Sequence, residues 1–287
     1  MKNISEIGMT TRRAIVRLAM VTAAFGFTMQ QVFPQVHPDW PEAIEDNSFL
    51  IEEAYNQELG VVQHISGALY VGGPRKDFAY SFTQEWPLGG QTHQLSYTIP
   101  YLSLGGGSAS GVGDISLNYR FQLLAAEGND VAMAPRLSLI LATGDEARGL
   151  GSGVFGFQFN LPLSHRLSAA WVYHLNAGLT LLPNVKGSSP SGPVKRTLVS
   201  YTAGGSLIWL AAESTNFMLE AIVNHASEIG ATGSVERTTE MLVGPGVRWA
   251  IDIGSLQIVP GLSAPVSISD GLAVGGIFAY LSFEHPF

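Results

Sequence analysis

His174 is the residue of this sequence whose surroundings most resemble a reactive site. It shares a small, polar face of an alternating stretch with Asn176 and Thr180. A hydrolase needs a serine and a carboxylate beside such a histidine. Ser168 lies too far along the same stretch to serve, although a neighbouring strand could supply a partner. We therefore interpret His174 as polar lining of an interior and keep hydrolysis as the third function considered.

Metal, thiol and nucleotide chemistry find little support. The seven histidines are scattered without an H-x-x-x-H pair, and the absence of cysteine excludes thiolate ligands. The G-x-G-x-x-G match at 151–156 opens the alternating run FGFQFN, whereas a dinucleotide site needs a following helix. With 15 Lys and Arg against 23 Asp and Glu, the chain is also a poor nucleic-acid binder. No cofactor, metal site or catalytic residue is predicted.

The sequence pattern predicts that His174 and the other polar residues lie on β-strands. Although 46% of residues are hydrophobic and only 13% are charged, no run beyond the N-terminus reaches the about 20 apolar residues of a spanning helix. Instead the apolar residues alternate, as Met241, Val243, Val247 and Trp249 do, in stretches of at least about 9–11 residues, the length of a transmembrane strand. We count about twelve stretches. The pattern predicts an all-β fold, a transmembrane antiparallel up-and-down β-barrel over residues 61–287.

The links between these stretches support the same topology. Outer-membrane barrels have short periplasmic turns and longer external loops. Successive links of an up-and-down barrel alternate between its two ends. The links 143–152, 184–196 and 228–239 fall at one end and are long, whereas the links at the other end, such as Ser164–Arg166, are shorter. We therefore expect three large external loops.

The N-terminus has the pattern of a secretory signal peptide over residues 1–30. Basic residues precede a short apolar core, Leu18–Met29, although the cleavage site stays open. An exported barrel is expected in the cell outer membrane. The following segment, residues 31–60, is acidic, and 39–58 lacks Lys and Arg. It is either a solvated periplasmic segment or a plug inside the barrel, with Trp40, Glu52, Glu53 and Tyr55 as the candidate plug residues.

Charged and polar residues on the non-lipid face of the strands should line the lumen. An arginine facing lipid at the midplane costs about 2–4 kcal/mol, which favours an inward position. Whether these residues select a solute or brace the barrel is left open. The candidates are Glu85, Asp114, Arg120, Arg136, His174, Glu220, Arg248 and Asp252.

The C-terminus has the pattern of an assembly signal. Leu281 and Phe283 lie on one face of an alternating stretch, and the chain stops at Phe287. A terminal aromatic residue after such a strand resembles the signal that the barrel-assembly machinery reads. We therefore expect that machinery and outer-membrane lipid as partners.

Four segments together resemble a known family, the one named for the meta-pathway of phenol degradation. They are EEAYNQELGVVQHI (52–65), GVGDISLNYRFQLL (111–124), PRLSLILATGDEARGLGSGVFGFQFNLPLS (135–164) and FAYLSFEHPF (278–287). The resemblance implies a transporter-like outer-membrane barrel that passes small hydrophobic or aromatic compounds, and it brings no catalytic residues. The predicted function is a passive channel for such compounds. The alternative is a plugged structural or surface-contact barrel, and the third reading is an outer-membrane hydrolase.

Overall fold

The chain folds into a single closed sheet. The computed structural model describes residue 44 and residues 46–74, 76–125 and 131–287, so the signal-peptide prediction and Trp40 lie outside the described residues. The strands are β1 (Val61–Val71), β2 (Asp77–Pro87), β3 (His93–Leu104), β4 (Ala109–Val112), β5 (Ser116–Phe121), β6 (Val131–Met133), β7 (Arg136–Ile140), β8 (Gly156–Ser168), β9 (Trp171–Ser189), β10 (Gly192–Ala212), β11 (Thr215–Ile229), β12 (Val235–Trp249), β13 (Ile251–Ile253), β14 (Leu256–Ser263), β15 (Val266–Ser269) and β16 (Leu272–Pro286).

These segments make a barrel of twelve antiparallel strands. Four strands of the barrel are interrupted, so that β4 and β5, β6 and β7, β12 and β13, and β14 and β15 each form one strand. Sequence neighbours pair all the way round, and β1 pairs with β16 from Val61↔Pro286 to Val71↔Gly276. The barrel is therefore closed, and the predicted fold class is confirmed. We call the end where β1 begins and β16 ends the near end, and the opposite end the far end.

The alternation of the sequence sets the two faces of the wall. Large apolar side chains such as Leu219 and Ile277 are exposed on the outside, whereas Asn118, Asn160 and Ser206 are buried inside. A soluble protein buries its apolar side chains and exposes its polar ones. Here the apolar side chains face outward and the polar ones inward, as expected for a barrel surrounded by lipid. In the part of the chain that the structure describes, no helix is long and apolar enough to cross a membrane.

Aromatic residues form a belt around the outside at the near end. Trp171, Trp209 and Phe217 stack across three neighbouring strands, with ring centroids 6.4 and 5.7 Å apart. Phe283 stacks on His64 at 4.6 Å across the β1–β16 seam. Such girdles mark the level where a barrel wall leaves the hydrocarbon and meets the headgroups.

The prediction of long external loops is wrong for two of the three segments. Residues 184–196 lie mostly in the extended β9–β10 hairpin, which turns at residues 190–191, and 228–239 shrinks to a link of residues 230–234. Ser164–Arg166 is a part of β8, and that turn lies at residues 169–170. Backbone pairing extends β9 and β10 through residues 184–196, and Val185 and Val194 pack there against a buried apolar cluster that includes Leu182 and Ile229. The 143–152 segment does lie in an irregular link, which contains the 3₁₀ turn Glu146–Arg148.

Candidate functional site

A segment of the chain lies inside the barrel. Residues 46–58, which we call the inner segment, start at the near end, where Asp46 accepts hydrogen bonds from Gln63 of β1 and Tyr280 of β16. Ile51 is 1% exposed, and the chain then returns to the near end, where β1 begins. The inner segment thus enters and leaves the lumen on the same side. It carries the predicted plug residues Glu52, Glu53 and Tyr55.

Wall side chains satisfy the backbone of the inner segment. Buried backbone N–H groups need partners, and the described residues 46–58 are not themselves part of a strand. Instead, alternate N–H groups donate to side-chain oxygens of the surrounding strands. The bonds run from Leu50 N to Glu220 Oε1 (3.0 Å), from Glu52 N to Asn176 Oδ1 (2.9 Å), from Ala54 N to Ser164 Oγ (2.8 Å) and from Asn56 N to Gln122 Oε1 (2.8 Å).

Arg248 and Arg120 bind the backbone carbonyls of the two ends of the inner segment. Arg248 Nη1 donates to the carbonyls of Asp46 (2.5 Å) and Asn47 (2.9 Å). Arg120 donates to the carbonyl of Tyr55 and, through Nε, to Asn56 Oδ1 at 2.8 Å. Both guanidinium groups are therefore occupied by the segment and do not face an open lumen.

Arg136 binds the middle of the inner segment through a side chain instead. Its Nε and Nη2 donate to the two carboxylate oxygens of Glu52 at 3.0 and 2.7 Å. The remaining Nη1 donates to Asn118 Oδ1 at 2.9 Å and to Ser138 Oγ. A two-point arginine–carboxylate pair has defined geometry and is among the stronger polar contacts in proteins.

The Asp46 carboxylate accepts hydrogen bonds from three side chains on two strands, β1 and β16. Gln63 Nε2 donates to Oδ1 at 3.0 Å, Tyr280 donates to Oδ1 at 2.5 Å, and Ser282 donates to Oδ2. Burial raises the pKa of Asp46 above its ordinary value, and the nearby charge of Arg248 opposes that rise. These contacts fasten the start of the inner segment to the β1–β16 seam.

Glycines in the wall make room for the apolar side chains of the inner segment. A Cβ on Gly246 or on Gly261 would lie 2.4 Å from ring atoms of Phe49, and one on Gly204 would lie 2.6 Å from Ile51 Cδ1. The Phe49 ring also packs on Phe278 and Tyr280, at centroid distances of 5.6 and 5.4 Å. Sequence reasoning missed these glycines. The available signal was their position on the inward face of long strands, where a side chain is expected.

The structure supplies the partner that His174 lacked. Ser164 on β8 lies with its Oγ 2.6 Å from His174 Nδ1, and both residues are buried. The same Oγ accepts the N–H of Ala54, and the ring of Tyr55 packs edge-on against the imidazole at 6.3 Å. The serine oxygen is therefore covered by the inner segment. The Ser164–His174 pair therefore helps to hold the inner segment in place.

The other predicted lumen residues divide into three groups. Glu85 and Glu220 are buried inside the barrel, where Glu85 pairs with Arg120 at 3.6 Å. Asp114 is buried too, but it accepts bonds from the backbone N–H groups of Gly144 and Ser152, at 2.9 and 2.6 Å, so it organises the link between β7 and β8. The prediction that Asp252 lines the lumen is wrong. Asp252 is exposed in β13, because this short strand lies beside the near-end turn, beyond the enclosed lumen.

A cavity of about 250 Å³ remains between the inner segment and the opposite wall. One part of its lining is apolar and comes from Ile65, Leu69, Ala79, Ile222 and Phe278. The other part is polar and includes Glu52, Glu85, Asn118, Arg136 and Gln158. The inner segment therefore fills only part of the barrel cross-section. Toward the far end, Leu102, Leu104, Leu150 and Leu242 are buried in one apolar cluster with Leu69.

Solved structures share this architecture. The COG4313 outer membrane channel from Pseudomonas putida F1 matches with a TM-score of 0.61 at 13% identity, over 82% of this chain and 98% of that one. This chain has the fold of an outer-membrane β-barrel. The NanC porin matches with a TM-score of 0.48 at 7% identity, over 78% of this chain and 100% of the porin. No protein-family model and no curated protein matches the sequence.

Proposed function

We propose that this protein is an outer-membrane channel that admits small hydrophobic or aromatic compounds by passive diffusion. The observation that carries the proposal is the partly apolar cavity beside the inner segment. Its volume of about 250 Å³ lies below the range of about 300–1,000 Å³ typical of drug-sized ligands, so it suits a smaller molecule. The resemblance to the phenol meta-pathway family points to the same class of solute. The inner segment acts as the plug that narrows the lumen.

The lining of the cavity supports this class of solute. Leu69 and Phe278 offer apolar surface, whereas the polar wall with Asn118 and Gln158 offers hydrogen bonds. A single aromatic ring with one polar substituent can use both walls at once. Hydrated ions gain nothing from the apolar wall, and apolar constrictions in channels disfavour them.

Single-channel recording of the purified protein in planar bilayers tests the proposal. We expect a small conductance, because the inner segment leaves only part of the cross-section free. Small aromatic compounds should interrupt the current in brief blockades, and the frequency of the blockades should rise with concentration. A linear aliphatic polyol of similar mass serves as the control solute and should cause few interruptions.

The alternative is a closed structural barrel. The dense fastening of the inner segment by Arg120, Arg136 and Arg248 favours it. Folded, correctly inserted protein that neither conducts nor responds to aromatic compounds would support this alternative and contradict a channel.

A further inference from the structure

We propose that Arg136 is a recognition site for the carboxylate of a small solute, and that Glu52 of the inner segment occupies this site as a tethered competitor. The inference deepens the proposed function, on which it rests, because it adds a carboxylate to the class of aromatic solutes. It starts from the geometry of the Glu52–Arg136 pair, in which two guanidinium nitrogens meet two carboxylate oxygens at 3.0 and 2.7 Å.

Arg136 is prepared to receive a carboxylate. Its Nη1 is held by Asn118 and Ser138, so the Nε and Nη2 edge is fixed in direction. The Arg136 side chain is only 9% exposed, which makes an arginine–carboxylate contact stronger than at a surface. The wall thus provides a rigid two-point donor whether the acceptor belongs to Glu52 or to a solute.

Glu52 is held less firmly than the arginine that it faces. Its side chain is 22% exposed, and both residues line the cavity. A carboxylate that enters the cavity can therefore reach the guanidinium from the side on which Glu52 now lies. The apolar lining at Leu69 and Phe278 then accommodates the ring of an aromatic acid. An incoming acid exchanges one carboxylate for another, so Arg136 keeps its charge partner.

The test measures benzoate and benzyl alcohol binding to the purified full-length protein by isothermal titration calorimetry at neutral pH. Glu52→Gln removes the competitor and should tighten benzoate binding about tenfold. Glu58→Gln makes the same charge change at an exposed position of the inner segment and should leave the affinity unchanged. Arg136→Gln should weaken benzoate binding at least about tenfold. Benzyl alcohol, which lacks the carboxylate, should bind all four proteins alike.

Equal benzoate affinity in wild type and Glu52→Gln would overturn the inference, and so would a benzyl alcohol affinity that changes in parallel with benzoate. Heat-modifiable migration shows whether Arg136→Gln folds. If it does not, the comparison of benzoate affinity between Glu52→Gln and Glu58→Gln still tests the inference. Failure of the proposed channel has a different signature. If the variants show the expected benzoate affinities but the protein does not conduct, the recognition site is supported and the proposed channel is contradicted.

Discussion

Arg120 of β5 and Arg136 of β7 are directly opposite each other in the antiparallel register, and both are buried inside the barrel. Like charges in this position destabilise a strand pair. The structure offsets the repulsion with two carboxylates: Glu85 of β2 lies 3.6 Å from Arg120, and Glu52 of the inner segment lies 2.7 Å from Arg136. One of the two compensating charges thus belongs to the inner segment and not to the wall.

Deletion of residues 46–58 should therefore change both the size and the charge of the pore. The deletion removes the carboxylates of Asp46, Glu52, Glu53 and Glu58 and leaves the wall arginines without their partners in the segment. We expect higher conductance and a shift of ion selectivity toward anions, because the lumen loses carboxylates and keeps its arginines. Reversal potentials under a salt gradient, recorded for the wild type and the deletion side by side, measure the second effect. Identical conductance and selectivity would mean that the segment does not obstruct the path.

Substitution of Gly246 by valine should release the inner segment without opening the barrel wall. The added side chain overlaps the Phe49 ring, since even a Cβ would lie 2.4 Å from it, and overpacking costs about 1–3 kcal/mol. We expect faster proteolysis within residues 46–58 and a higher conductance. Gly275→Val is the matched control, because nothing lies within 4 Å of a Cβ there.

The double variant Gly246→Val with Phe49→Ala provides a check on this mechanism. Removing the Phe49 ring creates the space that the valine needs. The double variant should therefore raise the rate of proteolysis by less than the sum of the two single effects. Strict additivity would show that Gly246 acts through something other than its contact with Phe49.

Arginine on the outer face should cost more at the middle of the wall than at its edge. Ala221 lies midway between Phe217 of the near-end belt and His225, whereas Trp249 lies opposite Thr215, next to the near-end turn. Ala221→Arg should lower the free energy of unfolding in bilayers by about 2–4 kcal/mol, and Trp249→Arg should lower it less. Denaturant titration of both variants in lipid vesicles measures the difference. A larger loss for Trp249→Arg would contradict this placement of the membrane.

Deletion of Phe287 should impair assembly more than stability. The side chain is 75% exposed, and the backbone N–H of this residue donates one bond to the carbonyl of Gly60 at 2.9 Å. The folded barrel therefore loses little when Phe287 is removed, whereas a C-terminal recognition signal depends on the aromatic side chain itself. We expect a reduced amount of protein in the outer membrane with unchanged heat-modifiable migration of the inserted fraction. Wild-type levels of the truncated protein would remove Phe287 from the assembly signal, leaving Leu281 and Phe283.

The sequence by itself determined the barrel. An alternation such as Met241, Val243, Val247 and Trp249 has only one satisfactory arrangement in which apolar residues meet lipid and small polar residues meet the lumen. Periodicity is a local property, so it predicts strand number and facing well. It failed at 184–196 and at Ser164–Arg166, because these segments are rich in polar residues and glycine and still keep the backbone pairing of β8, β9 and β10.

The tertiary structure decided how the lumen is filled. Composition marked the 31–60 segment as unusual but could not distinguish a solvated tail from a plug, since that depends on whether the wall offers partners. Those partners come from strands far apart in sequence: Arg248 for Asn47, Arg136 for Glu52, and Gly246 with Gly261 for Phe49. Only closure of the barrel brings them around one segment, and no local pattern records that closure.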